Sequence, residues 1–175
     1  YVDGKPLAYG DAVPGGRSVG VPGNLRLAAL AHKKHGKLSW RTLFQPAIQL
    51  ARDGYKITPR MHASLTNAIR TGALDPDGRA LFYGADGLPL PEGTLIRNPA
   101  LAATLETIAA RGAVSFYTGD NATLIAAKVG TAPRNPAPMT TADLASYKAV
   151  ERPAVCGQYR QYRVCGMGPP SSGAT

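Results

Sequence analysis

Proline and glycine divide this chain into short segments, and their placement limits the fold more than any other feature. The dipeptides Thr58-Pro59 and Asn98-Pro99 each put a capping side chain directly before a proline. That pattern starts a helix, because a proline at the first helical position gives up an N–H that would have no intrahelical partner anyway. Glycines at 36, 54, 112 and 130 follow apolar periodic stretches and read as helix stops. No apolar run between these signals approaches the roughly 20 residues of a membrane-spanning helix.

The order of elements follows from this punctuation. Residues 1–20, rich in Gly and Pro, read as loop. A helix is expected from about Pro22 to Gly36, with Leu25, Leu27, Leu30 and Ala31 on its apolar side. Ser39 caps a helical segment over 40–53, which Pro46 should divide into a short turn and a main helix. Its inward side is expected to hold Phe44, Ala47, Ile48, Leu50 and Ala51. Helices are also expected from Pro59 to about Arg70 and from Pro99 to Gly112, the latter with Leu101, Leu105 and Ile108 on one stripe. Asp75-Pro76-Asp77-Gly78 reads as a turn or short helix start, residues 84–93 as loop, and 94–97 as extended. Asp120 or Asn121 should cap a helix ending near Gly130. Residues 131–138, with three prolines, form a linker. Thr140 or Thr141 caps a short helix through Tyr147, and strands follow only after that. The fold class is therefore α+β: a predominantly helical lobe over 1–147, then strands and a turn over 148–175.

Charge narrows the function. The formal net charge is +9, yet the only tight basic cluster is His32-Lys33-Lys34-His35-Gly36-Lys37, at an expected helix end. Cations there complement the helix dipole. No aromatic–basic alternation suggests stacking on bases, so nucleic-acid binding is not expected. His32 and His35 lie one turn apart, but no HExxH pattern or Cys partner supports a metal site. Carboxylates are scattered, and no pair invites acid–base chemistry. Ser171 and Ser172 lie in a Gly-bounded turn without a Gly-x-Ser-x-Gly elbow, and read better as a helix cap than as nucleophiles.

Four ordered blocks carry a family resemblance. They are Ser18–Gly23, Ala31–Trp40, Leu43–Tyr55, and Thr141–Tyr147 together with Lys148–Thr175. In order and spacing they resemble the large subunit of the gamma-glutamyltranspeptidases, over essentially the whole chain. The resemblance implies a four-layer αββα sandwich of the N-terminal-nucleophile hydrolase type and a precursor that cleaves itself. A new N-terminal Thr on the small subunit then attacks a gamma-glutamyl amide such as glutathione, and the acyl group passes to water, an amino acid or a peptide. A terminal amine can serve as base for that hydroxyl, backbone N–H groups would hold the oxyanion, and an Arg would grip the donor carboxylate.

By the same resemblance this chain reads as an internal piece. The nucleophile is expected beyond Thr175 and the substrate Arg before Tyr1, so no catalytic residue is expected within it and the chain alone should be inactive. Thr175 itself follows the Pro169-Pro170-Ser171-Ser172-Gly173 stretch and is not expected to be the nucleophile. Ser171, Ser172 and Gly173 would help shape the active-site wall. The family commonly has Pro where Gly168 stands and Gly where Ala174 stands. No cofactor is implied. The partners would be the small subunit and a gamma-glutamyl donor, and a periplasmic or secreted location follows from bacterial members. A cephalosporin or glutaryl acylase of the same superfamily, or a non-catalytic scaffold, are the alternative readings.

If Arg160-Gln161 is a two-residue turn, Cys156 faces Cys165 in a non-hydrogen-bonded pair, where side chains approach closely. That geometry admits a disulfide, which an exported location would permit. Two buried free thiols are the other reading. The turn lacks the Gly that a primed hairpin turn favours.

Overall fold

The computed structural model describes residues 4–13, 15–71, 76–169 and 171, without the side chains of 68–71. Its order is α1 (Tyr9–Ala12), a 3-10 turn (Gly16–Ser18), α2 (Asn24–His35), α3 (Trp40–Asp53), β1 (Tyr55–Lys56), α4 (Pro59–Thr71), α5 (Pro76–Phe82) and β2 (Leu95–Ile96). Then come α6 (Pro99–Arg111), α7 (Val114–Tyr117), α8 (Gly119–Gly130), α9 (Thr141–Ser146), β3 (Val155–Tyr159) and β4 (Tyr162–Gly166). The fold is helix-rich α+β ending in a short hairpin.

The caps work as their chemistry requires. Ser39 Oγ accepts from Thr42 N at 3.2 Å, Thr58 Oγ1 from Met61 N at 3.2 Å, and Asn98 Oδ1 from Leu101 N at 2.9 Å. Of the two threonines before α9, Thr140 is the cap. Its hydroxyl accepts from Asp143 N, and the Asp143 carboxylate accepts from Thr140 N, a reciprocal capping box. The Thr140 hydroxyl also donates to the Asp143 carboxylate at 2.7 Å, and that bond, with the one from Thr140 N, holds the Asp143 carboxyl below the usual carboxylate range.

Several expectations are corrected. Pro46 does not divide α3, which is continuous from Trp40 to Asp53. Its buried face, Ile48 and Ala51, is held along α6, and that packing outweighs the loss of one backbone hydrogen bond. Helix α2 begins at Asn24 rather than near Pro22, because the Pro22 carbonyl accepts from the Tyr117 hydroxyl at 2.6 Å instead. Helix α8 begins at Gly119, ahead of Asp120 and Asn121. Asn121 uses its amide to donate to Phe116 O at 2.8 Å and so does not cap. Part of the loop expected over 1–20 is short helix, and α7 lies where no helix was expected. Strands also occur before the hairpin: Tyr55 and Lys56 pair antiparallel with Ile96 and Leu95. Leu27, Ala47, Leu50 and Leu101 face outward, each on a helix side that no other described element covers.

Three packed regions hold the lobe. Helices α3 and α6 make its most extensive contact, burying Ile48, Ala51, Ala102, Ile108 and Ala109. Trp40 Nε1 donates to Ile108 O at 3.0 Å, and Asn98 N donates to Ala51 O at 2.7 Å. A second cluster sets Ile57, Leu65, Tyr83 and Ile96 together. A third, of Tyr117, Ala122 and Leu144, joins α7, α8 and α9 and receives Val21 and Leu25 from the start of α2.

The second cluster yields a pH-dependent prediction. Tyr83 is buried, and its hydroxyl donates to Leu65 O at 2.6 Å. Burial raises its pKa above the ordinary tyrosine value, and nearby Arg79 opposes this weakly. A raised pKa in the folded state gives stability that is complete below the unfolded pKa and is lost as pH rises through the folded one. Tyr83→Phe should cost about 1 kcal/mol near neutrality, by removing the buried hydrogen bond to the Leu65 carbonyl. The gap between variant and wild type, measured by urea midpoint, should narrow above about pH 10, where the wild-type phenol must ionise on unfolding.

Candidate active-site wall

The C-terminal hairpin runs straight into the segment expected to border an active site. Strands β3 and β4 pair in the register Val155↔Gly166, Cys156↔Cys165, Gly157↔Val164, Gln158↔Arg163 and Tyr159↔Tyr162. The turn is Arg160-Gln161, with Arg160 at φ 53°, in the left-handed region that favours glycine. Cys156 and Cys165 stand directly opposite, Cα to Cα 4.1 Å, and their sulfurs are joined. Cys156 is half-buried and Cys165 exposed.

Beyond β4 the chain folds back. Gly168 is buried, and a Cβ there would lie 3.0 Å from Val155 Cγ2, so the backbone passes close over the start of β3. Arg152 Nη1 donates to Pro169 O at 2.7 Å, and Ser171 N donates to Gly168 O at 3.2 Å. Ser171 is exposed at this turn, while Ser172, Gly173 and Thr175 lie outside the described residues.

One tie anchors this region to the helical lobe. Lys34 Nζ, in the last turn of α2, meets both oxygens of Glu151 at 2.5 and 2.6 Å. The hydrogen bond and charge of Lys34, with help from His35, hold the Glu151 carboxyl below the usual carboxylate range. The basic cluster at the end of α2 therefore has a specific acidic partner within the chain. Sequence reasoning missed Glu151 and Arg152, because pairings across 117 and 17 residues leave no local signal.

His32 serves structure. His32 Nε2 bonds Leu38 O at 2.8 Å, and its ring meets Trp40 edge-on at 5.4 Å. Among the described residues no group of three His, Cys, Asp or Glu is gathered where a metal could bind. A cleft of 610 Å³ opens between α6, α7 and α8. Its Thr104, Thr107, Ser115 and Asn121 side chains are engaged with backbone carbonyls of their own segments, so they do not converge on a ligand.

Comparison with solved structures identifies the architecture first. The chain is similar to the Helicobacter pylori gamma-glutamyltranspeptidase, with a TM-score of 0.84 and 33% identity over 95% of this chain and 47% of that one. It is also similar to the cephalosporin acylase from Bacillus halodurans, with a TM-score of 0.77 and 29% identity over 89% of this chain and 30% of that one. The sequence model of the gamma-glutamyltranspeptidase family matches residues 1–175, and the chain belongs to that family. The glutathione hydrolase proenzyme of Escherichia coli is 37% identical over 155 residues, 88% of this chain and 26% of that protein. The chain spans about a quarter of the length of the curated relatives it matches.

Proposed function

We propose that these 175 residues form part of the large subunit of an enzyme that cleaves gamma-glutamyl amides such as glutathione and transfers the gamma-glutamyl group to water, amino acids or peptides. The observation that carries this reading is the match to the Helicobacter pylori enzyme over 95% of the chain. In this reading the helical lobe, 1–147, packs outside the αββα sandwich, and 148–175 supplies strands and a turn to it. The nucleophilic Thr is expected on the small subunit and the donor-gripping Arg on a preceding segment. Ser171, Ser172 and Gly173 then border the acyl site. The outward-facing Val155, Tyr159, Tyr162 and Val164 of the hairpin suit a strand pair that others cover in the whole enzyme.

The acylase reading rests on the Bacillus halodurans likeness, which is the weaker match. Turnover of glutathione against a glutaryl-cephalosporin by the full-length protein separates the two. The isolated 175-residue chain should release no chromophore from a gamma-glutamyl anilide, while the full precursor should. Release by the isolated chain would sink the proposal that the catalytic groups lie elsewhere.

The protein is expected to be exported, with Cys156 and Cys165 oxidised as the structure draws them. Closing this short loop constrains the unfolded chain by about 2.5–3 kcal/mol. Alkylation under denaturing conditions without reductant should leave both thiols unmodified, and only prior reduction should add two alkyl groups. Two modified thiols without reductant would rule the bond out.

A further inference from the structure

We infer that the Cys156–Cys165 bond is a thiol-exchange site, and that opening it loosens the hairpin and its hold on Gly168 and Pro169. The inference rests on the proposed oxidised state of the pair. Four observations carry it.

The two sulfurs differ in access. Cys165 is exposed and Cys156 half-buried, so an attacking thiolate reaches Cys165 Sγ. The register puts Arg163 on the same face as both cysteines, two residues from Cys165 and diagonal to Cys156. A cation on that face favours the thiolate that departs from Cys156 and draws an anionic thiol toward the site. Among the described residues of this chain the hairpin has little other support. Its strands contact each other extensively and no helix extensively, and a two-stranded hairpin alone is marginal in water. Finally, Gly168 and Pro169 lead into the stretch proposed to border the acyl site. Gly168 rests on Val155, which opens β3 beside Cys156, and Pro169 is held by Arg152 just before that strand.

The exchange balances with a small anionic thiol such as glutathione. Its thiolate attacks Cys165 Sγ, the cysteine–cysteine bond breaks, and the electron pair leaves on Cys156 Sγ, which takes a proton from water. Cys165 then carries a glutathionyl group. A second glutathione thiolate attacks the glutathione sulfur of that mixed disulfide and releases the Cys165 thiolate with oxidised glutathione. Two glutathione thiols are oxidised to one disulfide, and the protein disulfide is reduced to two thiols.

The test uses the 175-residue chain, millimolar reduced glutathione and brief trypsin digestion. The hairpin offers two cleavable bonds, Arg160–Gln161 and Arg163–Val164, and Arg97–Asn98 serves as the reference within the helical lobe. Acid-quenched mass mapping should find a glutathionyl adduct on Cys165. Cleavage at Arg160–Gln161 should accelerate at least tenfold relative to Arg97–Asn98. The double variant C156S/C165S should be cleaved fast with or without glutathione. An adduct confined to Cys156, a bond that glutathione does not open, or unchanged cleavage after opening would overturn the inference. Acceleration equal at Arg97–Asn98, or slow cleavage of the double variant, would overturn it too. Two alkylated thiols before any glutathione is added would instead refute the oxidised state on which it rests.

Discussion

Tyr117→Ala should lower the stability of this chain by about 3–5 kcal/mol, in the range of large aromatic truncations in cores. Tyr117 has no exposed surface and sits where α7, α8 and α9 meet. Its ring lies parallel to that of Tyr147, 6.4 Å between centroids, and the Arg26 guanidinium stands 4.5 Å above its centre. Its hydroxyl donates to Pro22 O at 2.6 Å and accepts from Arg26 N at 3.2 Å. Truncation therefore opens a cavity, removes the ring under a guanidinium and strands the Pro22 carbonyl and the Arg26 N–H. Urea unfolding of the chain measures it, with Tyr117→Phe as the comparison. The phenylalanine keeps the ring and loses only the hydroxyl, so it should cost about 1–2 kcal/mol. Equal midpoints for the alanine variant and wild type would show that the three-helix junction does not hold the lobe together.

Gly15→Ala should cost about 2 kcal/mol or more, through two separable causes. Gly15 has φ 115°, which an L side chain rarely adopts, and its added Cβ would run into the Arg134 carbonyl. Neighbouring Gly16 carries only the second cause. Its φ is not positive, it is buried, and its Cβ would strike the Val129 carbonyl. Gly93 carries only the first, with φ 81° and open space around it. Gly93→Ala should cost about 1 kcal/mol and Gly16→Ala about 1–3 kcal/mol. Gly157→Ala, with open space and ordinary φ, should leave the urea midpoint almost unchanged. A Gly15 variant no worse than the Gly93 variant would mean that the two segments can part without loss.

These contrasts mark what a sequence can disclose. The caps at Ser39, Thr58 and Asn98 were legible, and that at Thr140 as one of two candidates, because each places a side-chain oxygen three residues before the N–H it serves. The hairpin register was legible because counting outward from Arg160-Gln161 admits one pairing. What escaped was set across long separations. The β1–β2 pair joins residues some forty apart, too short in each strand to show alternation. The continuity of α3 through Pro46 depends on α6, and the start of α2 on a hydroxyl from α7. Of the candidate wall, Cys156 and Cys165 were legible by register, whereas the hold of Lys34 on Glu151 and of Arg152 on Pro169 emerges only in three dimensions.

The clamp around Gly16 also sets a schedule for synthesis. Gly16 N donates to Arg134 O, Arg17 N donates to Asn135 O, and Asn135 Nδ2 donates to Asp11 O across 124 residues. None of these bonds can form until the Pro-rich linker has left the ribosome. At roughly 5–20 residues per second the first segment waits about 6–25 s for its partner. Near the end of that interval, once Arg111 has been made, α3 can close on α6, whereas Tyr9–Ala12 still has no seat. Within this clamp, the residues made earlier are thus among the last to be secured.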